Sequence, residues 1–184
     1  MSSWKSRLIS QSDLMGLGEK LREKNKKVVF TAGSWDLIHA GQCRYLEKAK
    51  EYGDILVVGV SSDNAIRQVK GPNKPILDEK IRAEMLTFLK SVDFVTILPQ
   101  PSCQPSLGLL KPDVYVTVKE DWTGEYKESV EYKTVTKYGG EVVVVDRQSS
   151  SVSTTQILQR AVGGHLNDVL KDFLQYRKDP IKEK

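Results

Sequence analysis

The chain has 184 residues, enough for one domain with a full hydrophobic core. Its 39% hydrophobic and 28% charged residues are ordinary for a globular protein, and its formal net charge of +4 is mild. Because lysines and glutamates are interspersed and no apolar run is long enough to span a membrane, we expect a cytoplasmic protein that binds neither nucleic acid nor membranes.

Short apolar runs alternate with helical patterns along the whole chain. Strands are predicted at residues 28–31, 55–60, 94–98, 114–118 and 142–145. Helices are predicted at residues 14–21, 40–52, 64–69, 79–90, 127–138, 154–162 and 166–174, with a short helix at best after the proline loop 99–105. This alternation predicts an α/β fold, a Rossmann-like parallel sheet with right-handed crossovers and helices on both faces.

Capping residues and apolar stripes set the expected helix boundaries and orientations. The predicted N-caps are Ser12 with Asp13, Ser61–Asp63, Asp78 and Ser153. Glycines are expected to stop helices at Gly53, at Gly139-Gly140 and at Gly163-Gly164. The predicted inward positions are Tyr45, Leu46 and Ala49 in one helix and Ile81, Met85, Leu86 and Leu89 in another. The two cysteines, Cys43 and Cys103, lack metal-ligand spacing and are expected to be free thiols.

The most informative stretch runs from Val28 to Gln42. A β-branched run leads into small residues where the backbone can turn sharply and approach a ligand, namely Thr31, Ala32, Gly33 and Ser34. A helix follows from about Ala40. Backbone N–H groups and the positive end of the helix dipole converge at such a point, so the pattern predicts an anion site. His39, one of only 2 histidines in the chain, lies at its mouth.

Further polar segments are expected at the same edge of the sheet, because the carboxyl ends of parallel strands meet there. They are Ser61–Asp63, the residues from Lys119 onward, and residues 146–153. A loop of turn residues at 70–75 carries Lys70 and Lys74, and Arg67 comes just before it.

These residues together resemble a known family. T-A-G-S-W-D-L-I-H-A-G-Q, residues 31–42, is similar to the T-x-G-x-F-D-x-x-H-x-G-H signature of the cytidylyltransferase-like nucleotidyltransferases. K-G-P-N-K-P-I, residues 70–76, resembles the K-G-P-x-R-P-I loop of the heptose 1-phosphate adenylyltransferases, the nucleotidyltransferase half of the ADP-heptose synthesis enzymes. Similar pieces follow in order at Gly53–Asp63, Arg82–Glu84, Val92-Asp93, Lys111–Val114 and Ser153–Leu158. We therefore expect one nucleotidyltransferase domain over residues 1–184, with a family-like core at 8–162 and a helical extension at 165–178.

The resemblance implies transfer of a nucleotidyl group from a nucleoside triphosphate, ATP rather than CTP, to a phosphorylated sugar or alcohol, with release of pyrophosphate. Positioning and charge stabilisation are then the main tasks of the protein. The implied catalytic residues are His39, Gln42 and Lys70. The implied nucleotide-binding residues are Thr31, Ala32, Gly33, Ser34, Trp35, Asp36, Gly41, Asp63, Arg67, Lys74, Arg82, Lys119, Ser153, Thr154 and Thr155. Mg²⁺ is implied as a charge neutraliser held mainly by phosphates and water, with no protein ligand assigned.

The chain departs from the family pattern at several positions. Ser34-Trp35 replaces the usual Cys-Phe, which is a tolerable change, and two other departures matter more. Gln42 stands where the family has a second histidine, and an amide can donate a hydrogen bond but cannot carry positive charge. The difference corresponds to about 1–3 kcal/mol of transition-state stabilisation, or roughly tenfold to over a hundredfold in rate. Lys119 lies two positions beyond the lysine of the subfamily, which leaves the acceptor sugar open.

Several alternatives stay open at this point. A CTP-dependent enzyme acting on glycerol phosphate or a similar phosphorylated alcohol fits the same signature. A catalytically weakened nucleotide-binding regulatory protein fits Gln42. Asp36 suits a structural role in the turn, and Trp35 and Trp122 suit either a ligand site or packing. The apolar stripe at Leu166–Leu174 suits core packing or a homodimer seam.

Overall fold

The computed structural model describes residues 4–119, 122, 124–146, 148 and 153–178, with the backbone alone for residues 172–178. The strands are β1 Val28–Gly33, β2 Ile55–Ser61, β3 Phe94–Leu98, β4 Val114–Val118 and β5 Glu141–Val145. The α-helices are α1 Leu14–Glu23, α2 Ala40–Lys50, α3 Asp63–Lys70, α4 Glu79–Thr87, α5 Gln104–Leu110, α6 Val130–Lys137 and α7 Thr154–Lys178. Short 3₁₀ helices lie at Lys5–Arg7, Gln11–Asp13 and Tyr126–Glu128.

The five strands form one sheet in the order β3-β2-β1-β4-β5, and every pairing is parallel. The predicted Rossmann-like α/β fold is confirmed. β1 is the central strand, paired with β2 on one side and with β4 on the other. The chain order reverses direction across the sheet at β1, which is the place where open parallel sheets bind ligands beyond their carboxyl ends.

Both faces of the sheet are covered, so β1 reads as a continuous apolar run rather than an alternating one. Val29 packs in one buried cluster with Leu46 of α2 and Leu86 of α4. Its neighbour Phe30 points to the opposite cluster, which contains Leu107 of α5. Successive strand residues point to opposite faces, and this alternation explains why neighbours in β1 belong to different cores.

The helix starts confirm most of the predicted caps. Ser62 accepts the Ala65 N–H at 3.1 Å, and Asp78 accepts the N–H groups of Lys80 and Ile81. Asp13 is the N-cap residue of α1, as predicted, but its side chain makes no capping hydrogen bond. A 3₁₀ turn precedes α1, and Ser10 accepts the Asp13 N–H. The first helical turn therefore begins earlier than the apolar pattern indicates.

The inward face of α4 differs from the prediction at one position. Leu86 is buried as expected, but Ile81 is 45% exposed and Arg82 is 1% exposed. A charged side chain takes the place expected for an aliphatic one because backbone carbonyls and a carboxylate surround it. Tyr45, Leu46 and Ala49 of α2 are buried as predicted.

Several predicted helix ends are wrong. α2 ends at Lys50, before Gly53, and α4 ends at Thr87 rather than at Lys90. α7 continues through Gly163 and Gly164 to Lys178 as one helix. An internal glycine costs a helix about 1 kcal/mol, which long flanking helical segments can absorb. By contacts, Met1–Ser150 forms one compact unit and Ser151–Lys184 a second. The single nucleotidyltransferase domain stays a prediction.

No helix within the described ranges is long and apolar enough to cross a membrane.

Candidate active site

The turn between β1 and α2 has an unusual backbone. Trp35 and Leu37 adopt φ values of 52° and 47°, in the left-handed region that glycine normally occupies. A large side chain there costs roughly 1–2 kcal/mol, so surrounding contacts must hold the turn in place. Strain of this kind concentrates at ligand sites, which makes the turn the first candidate.

Trp35 supplies one of those contacts. Its indole Nε1–H donates to the Gly59 carbonyl at 2.9 Å, and its ring lies 6.0 Å from the ring of Tyr45. A Cβ built on Gly33 would be 3.0 Å from the Trp35 ring, so a larger residue there would push the indole a few tenths of an ångström away from the end of β1. The side chain of Trp35 is 6% exposed, and the structure gives it a packing role.

Thr31 also faces the interior. Its side chain is completely buried, with Oγ1 at 2.7 Å from the hydroxyl of Tyr45. Because the Tyr45 hydroxyl donates its proton to the Val116 carbonyl at 3.0 Å, the Thr31 hydroxyl donates to Tyr45. This chain of hydrogen bonds ties β1 to α2 and β4. The hydroxyl predicted to bind the nucleotide is thus used inside the core.

His39 and Gln42 lie at the first turn of α2. His39 is the N-cap, with extended backbone, and its N–H donates to Gln42 Oε1 at 3.1 Å. This bond is one half of a capping box, in which the residue three positions after the cap reaches back to it. A backbone N–H can only donate, so the amide oxygen of Gln42 must face His39. The group that Gln42 can then offer to an anion is its NH₂.

The N-terminus of α2 therefore presents several donors at one place. The first-turn N–H groups of Ala40 and Gly41 point out of the helix end, where the dipole favours negative charge. Gly41 is buried and His39 is half-buried, so the donors lie in a partly desolvated recess rather than on an open surface. Electrostatic interactions with a phosphate are stronger in such surroundings than in water.

Lys70 reaches the same turn from α3. Its Nζ donates to Ser34 Oγ at 2.7 Å, although the two residues are 36 positions apart in sequence. The structure thus brings together the lysine loop and the small-residue turn. Arg67 is half exposed and lies 3.8 Å from a carboxylate oxygen of Asp63. Lys74 is half-buried in the loop.

Asp36 holds the segment that follows the lysine loop. Its two carboxylate oxygens accept the N–H groups of Ile76, at 2.9 Å, and Leu77, at 3.1 Å. Asp36 as a whole residue is 6% exposed, and these contacts agree with the structural role expected from sequence. Asp36 therefore joins the β1–α2 turn to the end of the loop.

Arg82, which the resemblance assigns to the nucleotide, has an extensive set of contacts with the protein itself. Its Nε–H donates to the Leu77 carbonyl at 2.9 Å, one terminal nitrogen donates to the Ser34 carbonyl, and the other donates to the Ser61 carbonyl at 2.8 Å. The second terminal nitrogen also donates to Asp63 Oδ1 at 2.7 Å. These partners are all protein atoms, so Arg82 ties together the turn, the end of β2 and the loop. Arg82 lies four residues before the buried Leu86 and therefore on the same face of α4, and this spacing could have predicted its burial from sequence.

Asp63 and Glu79 complete this interior network. Asp63 Oδ1 balances the charge of Arg82, and the Asp63 N–H donates to Glu79 Oε2 at 2.7 Å. Sequence reasoning did not identify Glu79, because a glutamate in the first turn of a helix is ordinary there. The predicted nucleotide contact of Asp63 stays a prediction, since its nearest partners are two arginines.

The remaining predicted residues lie at different places. Lys119 directly follows β4 and is exposed, at the same carboxyl edge as Gly33. Ser153, Thr154 and Thr155 belong to the second unit. Ser153 caps α7 by accepting the Gln156 N–H at 3.2 Å, as predicted, but contact with phosphates stays a prediction.

Within the described part of the chain, no group of three His, Cys, Asp or Glu side chains could hold a metal ion. The carboxylates nearest the turn are engaged: Asp36 with backbone N–H groups and Asp63 with Arg82.

The central strand of this parallel α/β sheet ends in a tight turn, which a histidine-capped helix follows and which a lysine from the neighbouring crossover contacts. These features are those of the nucleotidyltransferase class. Comparison with known sequences agrees: the chain belongs to the cytidylyltransferase-like family, whose model matches residues 30–160. This confirms the resemblance expected from residues 31–42.

Individual relatives narrow the comparison. The chain is 37% identical over 155 residues to the bifunctional protein HldE of Syntrophotalea carbinolica, covering 84% of this chain and 31% of that protein. It is 40% identical over 149 residues to HldE of Geobacter metallireducens, covering 80% of this chain and 29% of that protein. The chain thus spans less than a third of the length of these relatives. The crystal structure of the lipopolysaccharide core biosynthesis protein from Thermoplasma volcanium superposes with a TM-score of 0.56 at 29% identity, covering 66% of this chain and 96% of that one.

Proposed function

We propose that this protein transfers a nucleotidyl group from ATP to a sugar 1-phosphate of the heptose 1-phosphate type, with release of pyrophosphate. The observation that carries the proposal is the contact of Lys70 Nζ with Ser34 Oγ, at 2.7 Å. It brings a cation to the strand–turn–helix motif whose first turn carries His39 and Gln42. The similarity of residues 70–76 to the heptose 1-phosphate adenylyltransferase loop supports the acceptor class.

The reaction needs little covalent chemistry from the protein. An acceptor phosphate oxygen forms a bond to the α-phosphorus while the bond from that phosphorus to the pyrophosphate oxygen breaks in line. The leaving pyrophosphate takes the electron pair of the broken bond. The protein must hold the two substrates in line and stabilise negative charge on the phosphoryl oxygens.

The residues of the turn suit these tasks. His39 and the NH₂ of Gln42 donate to oxygens of the α- and β-phosphates, with the N–H of Gly41 assisting. Lys70 exchanges Ser34 Oγ for a phosphate oxygen, because an ammonium forms a stronger hydrogen bond with a charged acceptor than with a hydroxyl. Mg²⁺, bound through the phosphates, supplies charge neutralisation.

Two other functions rest on specific observations. Membership of the cytidylyltransferase-like family favours a CTP-dependent enzyme acting on glycerol phosphate or a related phosphorylated alcohol. Gln42, in place of a second histidine, favours a protein that binds nucleotide but turns it over slowly or not at all, as a regulatory partner would.

Pyrophosphate release, with nucleotide binding measured separately by calorimetry, tests all three. The purified chain is assayed with ATP and with CTP, each against heptose 1-phosphate, other sugar 1-phosphates and glycerol phosphate. Turnover with ATP and a sugar 1-phosphate supports the proposal, and turnover with CTP and glycerol phosphate selects the second function. Nucleotide binding without turnover for any pair selects the third.

His39→Ala tests the mechanism separately. We expect a loss of at least about tenfold in kcat/KM, because a donor to the reacting phosphates is removed. His165→Ala is the matched control, since it removes the other histidine, which lies in α7. Unchanged activity in His39→Ala would show that the phosphates bind elsewhere.

A further inference from the structure

The segment from Lys70 to Leu77, here called the lysine arm, is attached to the β1–α2 turn at both ends. At its start, Lys70 Nζ donates to Ser34 Oγ at 2.7 Å. At its end, the N–H groups of Ile76 and Leu77 donate to the carboxylate of Asp36. The arm therefore leaves the turn and returns to it within eight residues, carrying both lysines of the loop.

Leu77 is held from two sides. Its N–H donates to Asp36 Oδ1 at 3.1 Å, and its carbonyl accepts from Arg82 Nε at 2.9 Å. Arg82 also donates to the carbonyl of Ser34, the residue that Lys70 contacts. Asp36 and Arg82 thus hold the end of the arm and the start of the turn as one rigid assembly.

The burial of Arg82 shows that its charge is not offered to a ligand. Its side chain has no exposed area, and its charge is balanced by Asp63 Oδ1 at 2.7 Å. Burying a guanidinium is costly unless it is paired and hydrogen-bonded, and both conditions hold here. A planar fork with several donors can reach four protein acceptors at once, which a lysine ammonium cannot do from one point.

We propose that Asp36 and Arg82 are positioning residues that preorganise the lysine arm, so that Lys70 and Lys74 meet the triphosphate of the nucleotide without an ordering cost. This inference rests on the proposed function, because it names how the same site selects a triphosphate. Ordering a free segment costs conformational entropy for every residue that it contains. A segment held in place before binding avoids that loss, which is the general basis of preorganisation.

A double-mutant cycle tests the inference, with inorganic tripolyphosphate as the probe and calorimetry on the full chain as the measurement. Tripolyphosphate has no base or sugar, so its affinity reports the phosphate site alone. The cycle uses four proteins: the wild type, the single variant Asp36→Asn, the double variant that carries both Lys70→Ala and Lys74→Ala, and the triple variant that combines all these substitutions. Asp113→Asn is the matched control, because Asp113 also accepts a backbone N–H, from Val28, but at the opposite end of β1.

We expect Asp36→Asn to weaken tripolyphosphate binding about tenfold in the wild-type background. In the background without the two lysines, the same substitution should change affinity less than about twofold, because the groups that it positions are gone. Asp113→Asn should leave affinity unchanged in both backgrounds. Arg82→Lys is a second variant for the same cycle and should behave as Asp36→Asn does.

Hydrogen exchange gives a second measurement that needs no ligand. In the wild-type protein the amides of Ile76 and Leu77 should be protected, and Asp36→Asn should remove that protection while protection in β1 persists. Equal loss of affinity in both backgrounds, or unprotected amides in the wild-type protein, would overturn the positioning role alone. A wild-type protein that does not bind tripolyphosphate would instead overturn the proposed function.

Discussion

Gln42 offers the sharpest separation of fold from chemistry. The amide oxygen accepts the His39 N–H at 3.1 Å, and the NH₂ is the group that remains for a phosphate. Gln42→Glu keeps an oxygen for the cap and replaces the NH₂ by a second carboxylate oxygen. The substitution therefore keeps the oxygen that accepts the His39 N–H and replaces the hydrogen-bond donor that faces the phosphate by a negatively charged acceptor.

The expected effect on stability is small and favourable. Glutamate is the usual partner in a capping box, and a negative charge in the first turn of a helix contributes about 0.3–1 kcal/mol. In a protein of 184 residues this corresponds to a rise in Tm of about 1–4 °C. Gln42→Leu, which removes both halves, loses the capping bond and should lower the Tm by a similar amount.

The expected effect on activity has the opposite sign. A carboxylate about 4 Å from a phosphate oxygen costs about 4 kcal/mol at an effective dielectric constant near 20. If solvent screens half of this, about 2 kcal/mol remains, and the lost neutral donor adds about 1 kcal/mol. Together they predict a fall in kcat/KM of at least about 100-fold for Gln42→Glu. Gln42→Leu loses only the donor and should fall about 2- to 10-fold.

Pyrophosphate release with the active substrate pair gives kcat/KM, and thermal unfolding followed by circular dichroism gives Tm. The two variants should separate, with glutamate the more stable and the less active of the pair. Activity of Gln42→Glu within about threefold of the wild-type value would refute the reasoning, because it would mean that no phosphate approaches this amide. Tripolyphosphate affinity should change in the same order as kcat/KM.

Three further predictions concern the scaffold. Gly18→Ala should destabilise the fold by more than about 1 kcal/mol, because its Cβ would lie 2.4 Å from the Leu110 carbonyl oxygen. Gly16→Ala in the same helix has open space and should stabilise the fold by about 0.5–1 kcal/mol. Chemical denaturation measures both free energies, and equal effects of the two variants would contradict the packing. Burial raises the pKa of the Cys103 thiol from 9.0 to about 12, so between these pH values the folded state keeps a proton that the unfolded state loses. In this pH range the free energy of unfolding should fall with rising pH by about 1.4 kcal/mol per pH unit from this group. Cys103→Ala should remove that part of the slope, and an unchanged slope would contradict the burial of the thiol. Truncation after Gly164 removes the exposed residues Leu166, Val169 and Leu170. It should convert a homodimer to a monomer in light scattering if these residues form its seam, and an unchanged mass would exclude that seam.

The sheet was predictable from sequence because its inner strands are buried on both faces. Ile55–Val60 reads as an uninterrupted apolar run, the pattern expected of a strand within a covered parallel sheet. The caps at Ser62 and Asp78 were predictable for a similar reason, since each side chain is followed directly by a helical pattern. In both cases the local sequence and the tertiary structure make the same demand.

The helix ends at glycine were less predictable. Gly163 and Gly164 lie within α7 and do not stop it. Glycine ends a helix when its backbone turns into the left-handed region, and neither residue does so here. A glycine pair weakens a helix by a known amount, but whether the chain turns there depends on the residues on both sides.

The location of the candidate site was predictable from sequence. Which of its residues hold the turn and which are available to bind phosphate was not. The resemblance places Thr31, Trp35, Asp36 and Arg82 among the nucleotide-binding residues, although the sequence also suits Asp36 to a structural role and Trp35 to packing. In the structure each of them makes its hydrogen bonds to protein atoms. Polar side chains that build a strained turn and side chains that bind phosphate have the same chemistry, so periodicity and composition do not distinguish them.

The separation between residues that hold the turn and residues that face the phosphates explains how the rest of the family signature is kept although Gln42 replaces the second histidine. The buried members hold the turn through Gly59, Leu77 and Val116, and none of these contacts involves the residue at position 42. Gln42 keeps the one structural task of its position, the hydrogen bond to the His39 N–H, which a neutral amide performs as well as any acceptor. The fold is thus insensitive to the exchange of histidine for glutamine, whereas the charge presented to the phosphates is not. Substitutions at positions 39, 42 and 70 should therefore change turnover without changing the fold, and substitutions at positions 31, 35 and 82 should change both.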